Sequence, residues 1–456
     1  MRVPLPRDAV RADRLTFDDD LFRRSRSVLG ISVVNQSVWR FAGPVSEEDL
    51  TELHGRLAAG RLTRVLVPPR VPGARARWVP GVAPPVPVVT VDLPPADLMT
   101  WAEAAAEVTL DPERGPTWSL AAAVTTAGEG LLSLVTSHVV CDGGAHVRAV
   151  VEAAEGRSGR CVPTDATGPV AVGRRDDLRD ALHHGRRVVR GLRAAVRAPR
   201  PTPAEGVVSS TSRPPPSPVP GGTGATPFRP PTVVAGVPSD AWHAAARAAG
   251  GTANSLLVAL SGELLVRAGR VRPGRSLKVS LPVDTRGPDD LRSNATTGVS
   301  IVVDTTRDEG RVDDLAVVRA RAKSAFAALA DDPAAGSSAT LEPLLQVLPD
   351  ALVARAAARS AAPLCLCSNL GRLHPGFRAP FGEPADAVLM RSSTQGVTAD
   401  LLRARRGGVS SWWAEHGATS THAVLGLDPD CWPDVEELRE DLAAVYGRWG
   451  LTPTFW

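Results

Sequence analysis

Lysine is almost missing from this chain: Lys278 and Lys323 are the two lysines among 52 basic residues, and the others are arginine. The bias fits a GC-rich genome better than a recognition device, and a net charge of +3 over 456 residues makes no global electrostatic case for nucleic acid. Cysteine is sparse as well. Cys141, Cys161, Cys365, Cys367 and Cys431 form an odd, scattered set without a Cys-x-x-Cys pair. They predict reduced thiols rather than a disulfide framework or a zinc site, and no metal is expected. No run of eighteen apolar residues occurs, so no membrane-spanning helix is expected, and the charged N-terminus carries no apolar signal region. The expected location is the cytoplasm. Neither a Gly-x-Ser-x-Gly elbow nor a glycine-rich strand-to-helix turn is present, which speaks against a serine hydrolase and a dinucleotide enzyme.

What is present is an ordinary apolar fraction of 43% and enough length for two medium domains with a core each. Strand and helix patterns alternate in both halves, which predicts an α/β (α+β) fold. A strand over 31–41 follows an opening loop, with a helix from Ser46 to about Ala59 and another over about 95–108. Residues 119–125 and 131–140 read as two strands joined by the Gly128-Glu129-Gly130 turn. The second strand leads into His138-Val139-Val140-Cys141-Asp142-Gly143. Asp142 is a natural N-cap for the helix that follows, and Gly143 and Gly144 let another group come close. An imidazole at such a corner is well placed to take a proton near neutral pH.

Residues 174–197 predict an amphipathic helix with a narrow apolar seam, Leu178, Leu182, Gly185, Val189, Leu192 and Val196, and arginines around the rest. Contact with an anionic membrane surface or with cofactor phosphates is one reading; a crossover helix with a solvated face is preferred. Residues 198–231 are rich in Pro, Gly, Ser and Thr and read as an extended or disordered connector, in which Gly221 to Gly224 is no phosphate loop. The division is therefore 1–173, an N-terminal lobe; 174–232, the basic helix and connector; and 233–456, a C-terminal lobe. In the last, helices are expected from Ser239, from Thr252 as N-cap, over 312–330 and over 341–360, and from about Pro433 to Arg448. Strands are expected over 276–283, 294–304, 364–368, 386–391, 397–404 and 409–414, the last two joined by a Gly407-Gly408 hairpin. His416, beside Trp412 and Trp413, reads as a structural histidine.

With these residues in place, the chain resembles the chloramphenicol acetyltransferase-like superfamily, which includes nonribosomal-peptide condensation domains. Within it the bacterial wax ester synthase/diacylglycerol acyltransferase family looks most similar. The family's His-His-x-x-x-Asp-Gly appears as Ser137-His138-Val-Val-Cys-Asp142-Gly143. Its other elements are similar to Leu110-Asp111-Pro-Glu-Arg114, Gly250-Gly251-Thr252-Ala253-Asn254, Pro282-Val283-Asp-Thr-Arg286 with Ser293-Asn294, Ser368-Asn369-Leu-Gly371, and Ser393-Thr394-Gln395-Gly396.

The resemblance implies two acetyltransferase-like lobes forming a pseudo-dimer around a central tunnel. It also implies an acyltransferase in which His138 takes the proton of an alcohol or amine attacking a thioester. Asp142 would hold the loop through a bidentate ion pair with Arg286, Gly143 would leave room for the thioester arm, and Ser137, in place of the first histidine, would give support. Asn294, Ser368, Asn369 and Gln395 are the implied substrate-binding residues. The implied donor is acyl-CoA or an acyl-carrier-protein thioester as co-substrate, with no bound cofactor and a small-molecule acceptor. Two alternatives stay open: a stand-alone condensation enzyme fed by a carrier protein, and a non-catalytic binding or scaffold member of the fold.

Overall fold

A computed structural model describes residues 13–157, 173–197, 207–208, 227–287, 290–312, 314–331, 342–359 and 362–456. It begins with a helix where the sequence reading has a loop: α1 (Phe17–Leu29). Thr16 starts it by accepting the Asp19 amide while the Asp19 carboxylate accepts the Thr16 amide, and Gly30, at φ 69°, ends it. Three acids in the first turn suit the helix dipole. The charged composition hid the helix, but the capping pair and the glycine were there to be read.

The first half continues with β1 (Ser32–Phe41), α2 (Glu47–Ala59), the short hairpin β2 (Arg64–Val67) and β3 (Arg77–Pro80), and β4 (Val89–Leu93). Then come α3 (Leu98–Ala106), the hairpin β5 (Trp118–Thr125) and β6 (Gly130–Ser137), α4 (Gly143–Ala154) and α5 (Arg174–Arg197). The second half comprises β7 (Val207–Val208), β8 (Thr232–Pro238), α6 (Ser239–Ala248), α7 (Ala253–Arg267), β9 (Ser276–Asp284) and β10 (Thr296–Asp304). It goes on through α8 (Leu315–Asp331), α9 (Glu342–Val347), α10 (Asp350–Arg359), β11 (Cys365–Arg372), α11 (Pro375–Arg378), β12 (Ala387–Gln395) and α12 (Ala399–Arg405). The chain closes with β13 (Val409–His416), β14 (Thr419–Gly426), α13 (Val435–Arg448) and β15 (Thr454–Phe455).

Three expectations are corrected. Residues 397–404 form no strand: Thr398 accepts the Leu401 amide and starts α12, and Arg406, left-handed at φ 54°, ends it. Gly407-Gly408 therefore links a helix to β13, and the hairpin lies one strand later, between β13 and β14 at Gly417. The helix expected over 341–360 is two, α9 and α10, parted at Leu348-Pro349, where proline disfavours a helical predecessor. Strands β8 and β14 went unread. Of the connector, Val207-Val208 pairs with β9, while Gly221 to Gly224 lies outside the described residues.

The strands make two large sheets, one in the order β12-β1-β6-β5-β4, the other β10-β9-β11-β13-β14-β8-β15 with β7 also on β9. The second packs on α7, whose residues Ser255 to Val266 are all buried, as a helix with apolar side chains on every face must be. Cys365 and Cys367 face this core with their sulfurs 3.8 Å apart, as packing residues. The first sheet packs Trp39, Trp118, Leu132 and Leu134 against α2 and α4. Its edge strand β12 comes from the C-terminal half and pairs with β1 over nine residues, Ser32 with Gln395 through Arg40 with Ala387. This pairing ties the halves together beside the end of β6.

Candidate active site

Strand β6 stops at Ser137 because that residue's carbonyl accepts the amides of Val140, at 2.9 Å, and Cys141, at 3.2 Å, and so folds 138–140 into a tight turn. Asp142 returns to extended backbone and caps α4 by accepting the Ala145 amide at 2.9 Å. The turn is buried, so each of its carbonyls needs a donor. Those donors come from distant segments. Asn294 Nδ2 donates to His138 O at 2.9 Å, Arg64 Nη2 to Val140 O at 2.9 Å, and Asn35 Nδ2 to Cys141 O at 2.8 Å. The Asp142 amide donates to Ser293 O at 3.1 Å and the His138 amide to Val33 O at 3.0 Å.

The Asp142 carboxylate is saturated. Oδ1 accepts the Ala145 amide and stands 2.6 Å from Arg286 Nη1; Oδ2 accepts the Ala295 amide at 2.9 Å and the Thr296 hydroxyl at 2.7 Å. Burial alone would push this carboxyl up, but Arg286 and the amide donors outweigh it and hold the group at about 2. Such a group is ionised at any working pH and has no free lone pair for proton transfer, so its work is to hold the turn. The expected bidentate pair is corrected to a single close contact. Arg286 spends Nη2 on Ser293 O, at 2.7 Å, and Nη1 also reaches Asp284, at 3.2 Å. Gly144 makes the approach possible: a Cβ there would lie 2.9 Å from Arg286 Nη1.

His138 is half-buried, its ring stacked on Phe22 of α1 with centroids 3.8 Å apart. Nδ1 lies 3.1 Å from Asn294 Oδ1. The orientation of that amide follows from its other side, where Nδ2 donates to Asp19 Oδ1 at 2.8 Å and to His138 O. Asn294 Oδ1 is therefore the acceptor, Nδ1 carries the proton, and the lone pair is left on Nε2. Burial lowers the imidazole pKa below its usual 6.5, against the raising effect of Asp142, so the ring is neutral at neutral pH. A neutral imidazole with a fixed tautomer and a free Nε2 can accept a proton.

With the two sheets, the exchanged strand and the histidine turn described, the chain can be set beside known proteins. No protein-family profile and no curated protein sequence matches it. Solved structures do. The first condensation domain of the calcium-dependent antibiotic synthetase, in complex with a substrate analogue, superposes with a TM-score of 0.55 at 18% identity, over 97% of this chain and 95% of that one. This chain has the condensation-domain fold. Polyketide synthase associated protein 5 from Mycobacterium tuberculosis matches with a TM-score of 0.54 at 15% identity, over 95% and 97% of the two chains. The wax ester synthase/diacylglycerol acyltransferase from Marinobacter aquaeolei VT8 gives 0.52 at 12% identity, over 96% and 100%. The architecture is two chloramphenicol acetyltransferase-like lobes, as the resemblance implied.

In this condensation fold His138, Asp142, Arg286 and Asn294 come together, although 156 positions separate His138 from Asn294. Asn294 differs from its expected part: its side chain is spent on His138 and Asp19, which makes it a positioning residue rather than a tunnel wall. Ser137 closes the turn through its backbone. Gly143 faces the ends of Met390 and Leu370, which a Cβ would meet at 3.4 and 3.7 Å. Ser368 and Asn369 lie on β11 just before Leu370, with the exposed Asn369 bonded to Asn254 at 3.3 Å. Gln395 is corrected to a brace of α3, since its amide donates to the carbonyls of Ala106, at 2.5 Å, and Val108, at 3.0 Å.

Sequence reasoning missed Asp19, Phe22, Arg64, Asn35 and Thr296. Asp19 and Phe22 were lost with α1. Arg64, buried against Trp78 and lowered by that burial to about 10, has no local sequence signal. His416 is structural as expected, buried and 2.6 Å from the Thr421 hydroxyl. Among the described residues no cluster of His, Cys, Asp and Glu could hold a metal ion. A cavity of about 540 Å³ lies between α1, the 66–76 segment, α5 and α9. His138 does not line it; Leu15 and Leu66, which do, pack in one cluster with Val139 and Val140.

Two outcomes are expected. Asp142→Asn leaves Arg286 without its partner and should lower stability at pH 7 by about 3 kcal/mol. Because the native carboxyl titrates at about 2, against a usual 3.8, its stabilisation is complete above about pH 4 and is lost as pH falls through about 2. Melting temperatures of wild type and variant should therefore converge over that interval, and a constant gap would contradict the ion pair. Gly144→Ala should lower the melting temperature by several degrees by displacing Arg286, whereas Gly143→Ala, meeting only flexible side-chain ends, should leave it nearly unchanged; equal melting temperatures for the two would refute the close approach.

Proposed function

We propose that this chain is a condensation-type acyltransferase that moves an acyl group from a thioester to a hydroxyl or amine acceptor, with His138 as general base. The observation that carries the reading is the 3.1 Å contact of His138 Nδ1 with Asn294 Oδ1, an acceptor by the amide's other bonds, which supports a tautomer with its lone pair on Nε2. The acceptor O–H or N–H gives its proton to Nε2 as its lone pair attacks the thioester carbonyl carbon. The tetrahedral intermediate collapses, the C–S bond breaks, and the leaving thiolate takes the proton from the imidazolium. Atoms and charge balance without a further reactant, and no bound cofactor or metal is called for.

Asp142 and Arg286 contribute by fixing the turn that aims the ring, and Asn294 by keeping the proton on Nδ1. General-base catalysis of this kind contributes about 10²- to 10⁴-fold. The donor proposed first is acyl-CoA, acting as co-substrate; a carrier-protein thioester offers the same reacting group on the same pantetheine arm. The wax ester synthase/diacylglycerol acyltransferase and the condensation domains among the structural neighbours support acyl transfer as the class of reaction.

The test is thiol release from a panel of acyl-CoA and acyl-pantetheinyl-protein donors with pooled alcohols and amines. Acceptor-dependent release is expected from wild type, with a loss of at least about 100-fold in His138→Ala. Release from carrier-bound donors alone would assign the donor to a carrier, and silence with every donor would refute the transferase. The active base is the unprotonated imidazole, and burial lowers its pKa. Turnover should therefore fall with acid along a limb whose midpoint lies below 6.5 and stay level from there to neutral pH. A midpoint above 6.5 would contradict the assignment.

A further inference from the structure

Helix α5 is mounted in reverse. Its polar face is the buried one: Asp177 accepts from Arg14 Nη2 at 2.8 Å and from the Arg70 amide at 2.7 Å, Asp180 accepts from Arg75 Nη2 at 2.7 Å, and His184 is buried beside them. These polar contacts fix the rotation of the helix on the N-terminal lobe. The seam that would normally seek the core consequently points outward, with Leu178, Leu182, Val189 and Leu192 exposed by 51, 57, 48 and 50%. The solvated face expected from the sequence is thus the apolar one. No described residue covers it.

At 100° per residue the four side chains fall within about 80° of arc, a single stripe along a helix about 36 Å long. Arg179, Arg186, Arg190 and Arg193 lie in the adjoining arc, all on the same flank. All four are exposed, and none has a carboxylate partner among the described residues. A solvated apolar stripe bordered by unpaired guanidinium groups matches a surface that is apolar in depth and anionic at its rim.

From this geometry we infer that α5 seats the protein on an anionic lipid bilayer, its Leu/Val stripe in the acyl boundary and its arginines at the headgroups. Arginine stems can lie along the apolar zone while the guanidinium groups stay with phosphate. A bilayer needs no shape complementarity, which suits a stripe of alkyl side chains along one straight helix. The inference does not depend on acyl transfer, since α5 contributes no residue to the His138 site.

The test is co-sedimentation of the full chain with vesicles of phosphatidylcholine, with and without phosphatidylglycerol. Wild type should sediment with the phosphatidylglycerol vesicles, less so in high salt, and stay in solution with phosphatidylcholine alone. Combined Leu178→Ser, Leu182→Ser, Val189→Ser and Leu192→Ser removes the stripe without changing charge and should weaken binding about tenfold or more. Combined Arg179→Gln, Arg186→Gln, Arg190→Gln and Arg193→Gln should weaken it as well. Because every substituted side chain is exposed, both variants should keep the wild-type melting temperature. Wild type that ignores phosphatidylglycerol vesicles, or a serine variant that binds them undiminished, would overturn the inference. So would a wild-type dimer in light scattering that the serine variant breaks, with no vesicle binding, since a second copy would then cover the stripe.

Discussion

The contact between Arg286 and Asp142 joins the C-terminal half of the chain to the turn that carries His138. It is a buried charge pair, whose desolvation cost is offset only if every remaining lone pair and proton is used. Asp142 meets that condition with two backbone amides and a hydroxyl, and Arg286 largely does so with the carbonyl of Ser293 and the carboxylate of Asp284. Neither residue reaches this geometry alone. Arg286 and residues 293–296 must come up to the start of α4, and Gly144 must leave the space for the guanidinium. A local turn of six residues is thereby made dependent on the long-range assembly of the lobes.

The imidazole itself is governed by a second line of contacts. The caps of α1 place Asp19, Asp19 orients the Asn294 amide, and that amide decides which nitrogen of His138 holds the proton. An uncharged acceptor at Nδ1 has a chemical effect that a carboxylate would not have. It fixes the tautomer and, carrying no charge, raises the imidazole pKa by less than burial lowers it, so the ring stays neutral near pH 7. Phe22, stacked on the ring, limits its rotation. Protonation state and aim are thus set by residues some 120 and 156 positions away in the chain.

Most elements with a strong period or a clear cap were legible in the sequence. The strand pair around Gly128, the helix capped by Asp142 and the helix capped by Thr252 appear within a few residues of their expected bounds. So was the core of the site, because His138, Asp142 and Gly143 lie within one short motif. What was hidden falls into two kinds. Residues 397–404 carry a pattern compatible with strand or helix, and the deciding groups are the hydroxyl of Thr398 and the left-handed Arg406. Arg64 and Asn35 act through hydrogen bonds to carbonyls far along the chain, which no local pattern records. The reversed mounting of α5 belongs with them: the seam was visible, but its direction depends on Arg14, Arg70 and Arg75.

The edge strand β12 has a consequence for how the protein comes into being. Residues 387–395 complete a sheet whose other strands all lie before residue 138, so a ribosome must deliver more than 240 further residues before β1 is covered. During that interval the nascent N-terminal half carries an open row of backbone donors and acceptors, the arrangement most prone to pair with a neighbouring chain. Once β12 arrives, polar side chains of β1 are buried against it, with Asn35 accepting from the Ser392 hydroxyl at 2.8 Å and Gln36 from Arg391 Nε at 3.0 Å.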